Sequence, residues 1–204
     1  MARHSYSDLI RLFNDLFLVT EHTVLVAGTD EPLYVPARDA DHPAQIIFAH
    51  GYYASALHEI AHWCIAGAHR RTLLDYGYWY VPDGRSAEQQ LEFSRVEVKP
   101  QAIEWVFSVA SGLDFNFSAD NLASGGSIVD ANWRRFQDEV ATTARYFATK
   151  GLPTRAEKLA NAIAKFYGTE TNWRKPESYR LEANWREVFE TDHRLDEIVR
   201  VVSS

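Results

Sequence analysis

His58-Glu59-Ile60-Ala61-His62 constrains this chain more than any other stretch of its sequence. The two imidazoles are four residues apart. At about 100° per residue an α-helix brings them to one side, a turn apart, where both can reach one metal ion. Imidazole suits zinc, iron, copper and nickel, so the pair implies a transition metal without choosing one. The plain alternative is an ordinary helix with two surface or core histidines. The neighbours oppose it: Ala54, Ala56, Leu57, Ile60, Ala61, Ile65 and Ala66 leave the segment apolar on nearly every side, as in a buried helix. Burying two histidines and a glutamate is costly unless something satisfies them, and a metal does so.

A buried helix needs a core around it. The chain has 204 residues, 46% hydrophobic and 13% aromatic, enough for one packed domain and contrary to disorder. A formal charge of -7 argues against a broad nucleic-acid or membrane footprint. The single cysteine, Cys64, excludes an internal disulfide and fits a reducing cytoplasm. It follows His62 by about 200° of helix, so it points away from the metal and into the core. No signal-peptide pattern and no long apolar run is present, which predicts a soluble cytoplasmic protein.

Apolar spacing predicts a helix over Asp8–Val19, capped by Ser7. Short β-branched runs predict strands at Thr23–Ala27 and Gln45–Ala49, with a third at Leu33–Val35 closed by Pro36. The metal helix is expected from Tyr53 to about Gly67, and a strand over Tyr76–Val81 ends in the turn Pro82-Asp83-Gly84. Ala87–Ser111 reads as a helix that Pro100 breaks or kinks. Helices follow at Asp130–Thr149, Pro153–Phe166, Tyr179–Glu190 and Leu195–Val201. Asn-Trp-Arg occurs at Asn132, Asn172 and Asn184 without a fixed period, so each tryptophan reads as a packing anchor beside an exposed arginine. The plan is α+β: a small mixed sheet of short strands packed by helices, with a helical C-terminal third. It forms one domain over 1–204, a metal-binding core at 1–125 and a helical extension at 126–204 packed on it.

Two histidines leave a metal short of ligands. His69 lies seven residues after His62, where the extended metzincin motif needs six, so that reading fails. A carboxylate from the next helix is the better source, and Glu92, Glu97 and Glu104 compete. Glu97 and Glu104 share a helical face, so spacing does not separate them. Pro100 favours Glu97 slightly by loosening the backbone just after it.

Several longer runs carry a resemblance. Phe48-Ala49-His50-Gly51, Ala54-Ser55-Ala56, His58-Glu59-Ile60 and His62-Trp63-Cys64-Ile65-Ala66-Gly67 resemble the bacterial elongation factor P hydroxylase family. So do Gly77-Tyr78-Trp79-Tyr80, Pro82-Asp83-Gly84-Arg85, Val96-Glu97-Val98-Lys99-Pro100-Gln101-Ala102 and Asp120-Asn121-Leu122. The likeness is close over roughly the first 125 residues and looser beyond. It implies an Fe(II) enzyme that uses O2 to hydroxylate the β-lysylated lysine of elongation factor P, through an electron donor the sequence does not name. It also implies a two-His-one-carboxylate site at His58, His62 and Glu97, and it is the family run that selects Glu97.

In that reading Glu59 serves catalysis without being a ligand, bonding a metal-bound water or a ligand histidine. The substrate carries ammonium groups, so an acidic and aromatic lining is expected, with Asp83, Tyr80 and Glu104 as its residues. The competing reading is a zinc metallopeptidase, since H-E-x-x-H with a distant glutamate is also the gluzincin pattern; Glu59 would then be the general base.

Overall fold

The structure is a computed structural model that describes residues 4–77, 87–118 and 127–181. Among these residues it has a three-stranded sheet and five α-helices, an α+β fold as expected. Helix α1 spans Tyr6–Glu21, strands β1 to β3 span Thr23–Ala27, Leu33–Val35 and Ala44–Phe48, and α2 spans Tyr53–Ile65. Helix α3 spans Ala87–Ser111, α4 Ser127–Lys150 and α5 Thr154–Tyr167.

The sheet order is β1-β3-β2, with β1 parallel and β2 antiparallel to the central β3. Alternate residues point to opposite faces of a strand, and Leu25, Ile46 and Tyr34 form one buried cross-strand row. Helix α1 packs on β1 and α2 on β3. Leu9, Phe13 and Phe17, spaced by four, make the buried stripe of α1. Phe13 and Phe17 meet Trp63 of α2 edge-on at centroid distances of 5.1 and 4.9 Å. Such aromatic pairs each add about 0.5–1.5 kcal/mol beyond simple burial, so the aromatic cluster fixes α2 against α1.

An elbow delivers α2 from β3. His50 and Gly51 both have left-handed backbones, φ 53° and 66°, which reverses the chain within two residues. A Cβ on Gly51 would lie 3.3 Å from the Tyr6 ring, a second reason for glycine here. The Ala49 amide donates to Ser55 Oγ at 3.1 Å and ties the elbow to the first turn of α2.

Helix α3 lies between α2, α4 and α5, and its residues 101–108 are buried on every side. Polar groups inside such a helix must find partners. Ser108 Oγ donates to the Glu104 carbonyl at 2.9 Å, and Gln101 Nε2 donates to the Ser118 carbonyl at 3.0 Å. Pro100 neither breaks nor ends α3, which is one continuous helix. The surrounding packing outweighs the hydrogen bond that proline removes.

Other boundaries moved. The α1 cap is Ser5, whose hydroxyl accepts from the Ser7 amide at 3.2 Å, not Ser7. Tyr76 and Gly77 are not strand but the end of a short 3₁₀ turn in which Asp75 and Tyr76 are left-handed, φ 50° and 56°. Tyr179 and Arg180 are not helical; 3₁₀ turns at Asn172–Arg174 and Pro176–Ser178 precede them. The rest of that expected helix, the one at Leu195–Val201, and the segment at 78–86 lie outside the described residues. Trp173 is fully buried with Arg174 over its ring at 4.1 Å, the packing role expected of Asn-Trp-Arg. No helix among the described residues is long and apolar enough to cross a membrane.

Candidate metal centre

Helix α2 is not apolar all round. Its buried residues are Ala56, Leu57, Ile60, Ala61, Trp63 and Cys64, while Ala54 is exposed and His58, Glu59 and His62 are half-buried. One stripe of the helix therefore looks out of the core, and it carries both histidines a turn apart. Cys64 sits in the core, 4% exposed, as its angle from His62 predicts.

Helix α3 supplies carboxylates to that stripe. His58 Nε2 and His62 Nε2 face each other at 3.1 Å. Glu97 Oε1 is 3.3 Å from His62 Nε2, and Glu97 Oε2 is 3.7 Å from His58 Nε2. One donor atom from each of the three residues lies within 4.8 Å of the other two, a group able to hold a metal ion. Donors roughly 2.1 Å from a shared centre sit about 3.0 Å apart at right angles and about 3.4 Å apart at the tetrahedral angle. The separations of 3.1 and 3.3 Å fall in that range and the third, 3.7 Å, is slightly wider, so the donor set suits a first-row transition metal in chemistry and comes close to it in spacing.

The charges are strongly coupled. Burial disfavours the charged form of His58, but the carboxylates of Glu104, Glu97 and Glu59 outweigh it and raise His58 to about 10. Burial likewise works to raise Glu97; His62, His58 and a hydrogen bond from Gln101 win, holding its carboxyl below the ordinary range. Burial raises Glu59, opposed by His58 and His62 and reinforced by Glu97 and Asp75. Glu59 thus lies in the field of the same cluster.

Glu104 is 7% exposed, and its Oε2 accepts from His58 Nδ1 at 2.8 Å, on the far side of the ring from Glu97. Both glutamates of the shared α3 face reach the site, each at a different nitrogen of His58. Tyr80 and Asp83, expected in the substrate lining, lie outside the described residues, as does the side chain of Glu92. Two neighbours escaped the sequence reading. Gln101 follows Glu97 by one turn, a spacing that could have revealed it. Asp75 acts electrostatically on His62 and Glu59 from its left-handed turn, and its Oδ1 accepts from the Tyr34 amide of β2 at 3.4 Å. Nothing local in the sequence announces two successive left-handed residues that are not glycine.

Comparison with known proteins places the chain in a family. The family model described as Elongation factor P hydroxylase matches residues 12–177, which include all of the cluster. A Haemophilus influenzae protein named Elongation factor P lysine hydroxylase is 50% identical over 167 residues, covering 82% of this chain and 92% of that protein. By both the family match and this relative, the chain belongs to the elongation factor P hydroxylase family.

Proposed function

We propose that this protein hydroxylates a lysine side chain of elongation factor P, in its β-lysylated form, with an iron(II) ion held by His58, His62 and Glu97. The observation that carries the reading is the convergence of two Nε2 atoms and one carboxylate within 4.8 Å, in a member of a lysine hydroxylase family. Ferrous iron on two histidines and one carboxylate supplies dioxygen activation, the chemistry needed to oxidise an unactivated methylene.

The chain's own residues do the rest. His58 and His62 offer Nε2 to the ion, and Glu97 brings one negative charge. Glu59, whose affinity for a proton burial raises, accepts or returns a proton from water at the rim. Asp83 and Tyr80 contact the ammonium-bearing arm of the substrate. The protein works in the cytoplasm as a soluble enzyme on a folded protein substrate.

The test is metal reconstitution. Metal-free protein given Fe(II) in air should regain hydroxylation of β-lysylated elongation factor P, and Zn(II) should not restore it. Activity restored by Zn(II) alone, or peptide cleavage with Zn(II), would favour the peptidase chemistry that H-E-x-x-H also permits.

A further inference from the structure

Glu104 is a substrate-lining candidate by sequence alone, and its surroundings define a different part for it. It is a carboxylate 7% exposed in the all-round buried part of α3, two turns beyond Glu97. Its Oε2 lies 2.8 Å from His58 Nδ1. The other nitrogen of the same ring, Nε2, points to His62 and Glu97, at 3.1 and 3.7 Å. A neutral ring whose Nδ1 donates its proton to a carboxylate offers Nε2 as the free lone pair, the form a metal ion selects. The same bond fixes the ring's rotation.

Resting on the metal reading above, we infer that Glu104 is the positioning residue of the metal centre: it holds His58 in the Nδ1–H form, aimed at the ion. Glu104 does not contact substrate. Its bonded oxygen is committed to His58, and at 7% exposure little of it is open to an approaching ammonium group. This replaces the substrate-lining role that sequence alone suggests for it. The Ser108 hydroxyl bonds the Glu104 backbone carbonyl and not its carboxylate, so the side chain remains available to the imidazole. The negative charge also strengthens His58 as a donor, since an imidazole bonded to a carboxylate is more basic. Loss of such an outer partner typically costs roughly 10- to 100-fold in metal affinity.

The readout is the rate at which bound zinc leaves the protein for an excess of chelator, in the range where that rate no longer depends on chelator. Release reports the loaded state alone, so competition by protons for the empty ring does not enter. Glu104→Gln keeps an acceptor of the same shape without the charge, and Glu104→Leu removes both. Release should quicken in the order wild type, Gln, Leu, with the Leu variant roughly 10- to 100-fold faster than wild type. In zinc-loaded protein the His58 Nδ1–H proton should give a slowly exchanging NMR signal that Glu104→Leu abolishes. Equal release rates for wild type and both variants would overturn the inference. A wild type that binds no zinc, or whose zinc is held equally well after His62→Ala, would instead sink the metal centre itself.

Discussion

His58 is bonded at one nitrogen by Glu104 and faces Glu97 at the other, and its charge state follows from both. In metal-free protein its proton affinity is raised from 6.5 to about 10. A raised histidine stabilises the fold fully below 6.5, and that contribution is lost as pH climbs through about 10. Glu97 is lowered from 4.5, so its contribution is present above that value and fades as pH falls further. The metal-free protein should therefore be most heat-stable between pH 4.5 and 6.5 and weaken toward pH 10. His58→Ala should flatten the alkaline limb; a melting temperature that keeps rising to pH 10 would contradict the account. At this scale the pairing of the two histidines was legible, because helical spacing alone brings them together. It did not separate Glu97 from Glu104, since both occupy one face of α3. Only the depth and rotation of α3 against α2 decide which nitrogen each carboxylate meets.

Helix α2 must be held rigidly, because both histidines ride on it. Its C-terminal carbonyls are served by α5: Arg155 Nη2 donates to the carbonyls of Trp63, Cys64 and Ala66 at 2.9, 3.1 and 2.7 Å. The same guanidinium lies 4.6 Å from the Trp63 ring centroid. Arg155→Leu leaves these carbonyls without their donor in a half-buried site and should cost about 2–4 kcal/mol by urea denaturation. Arg155→Lys should cost less, since an ammonium retains charge but cannot match the planar fork. A loss under about 0.5 kcal/mol for Leu would remove Arg155 from the support of α2. Elements with strong internal signals were readable: β1, β2 and α3 run as their residues suggested. The misreadings came where tertiary contacts overrule local signals. Ser5 takes the cap from Ser7, and the Tyr76-Gly77 segment turns instead of extending. There Tyr34 stacks on Tyr76 at 4.2 Å and fixes the loop from the sheet.

Over the whole molecule, the family likeness and the cluster of donors point the same way by independent routes. One is a match to residues 12–177; the other is the meeting of α2 and α3, whose donor residues His62 and Glu97 lie 35 positions apart in the chain. The α+β plan was legible because short strands and long amphipathic helices differ in period. The contribution of α5 to the metal helix was not, because it arises 89 to 92 residues from the carbonyls it serves. The central claim is that these donors equip the protein to add oxygen to a lysine of elongation factor P. The most direct measurement is the intact mass of β-lysylated elongation factor P after incubation in air with the iron-loaded protein and a reductant. The account predicts a gain of about 16 Da, one oxygen atom, absent with His58→Ala, His62→Ala or Glu97→Ala. An unchanged mass with wild type, or the same gain with any of those three variants, would contradict it.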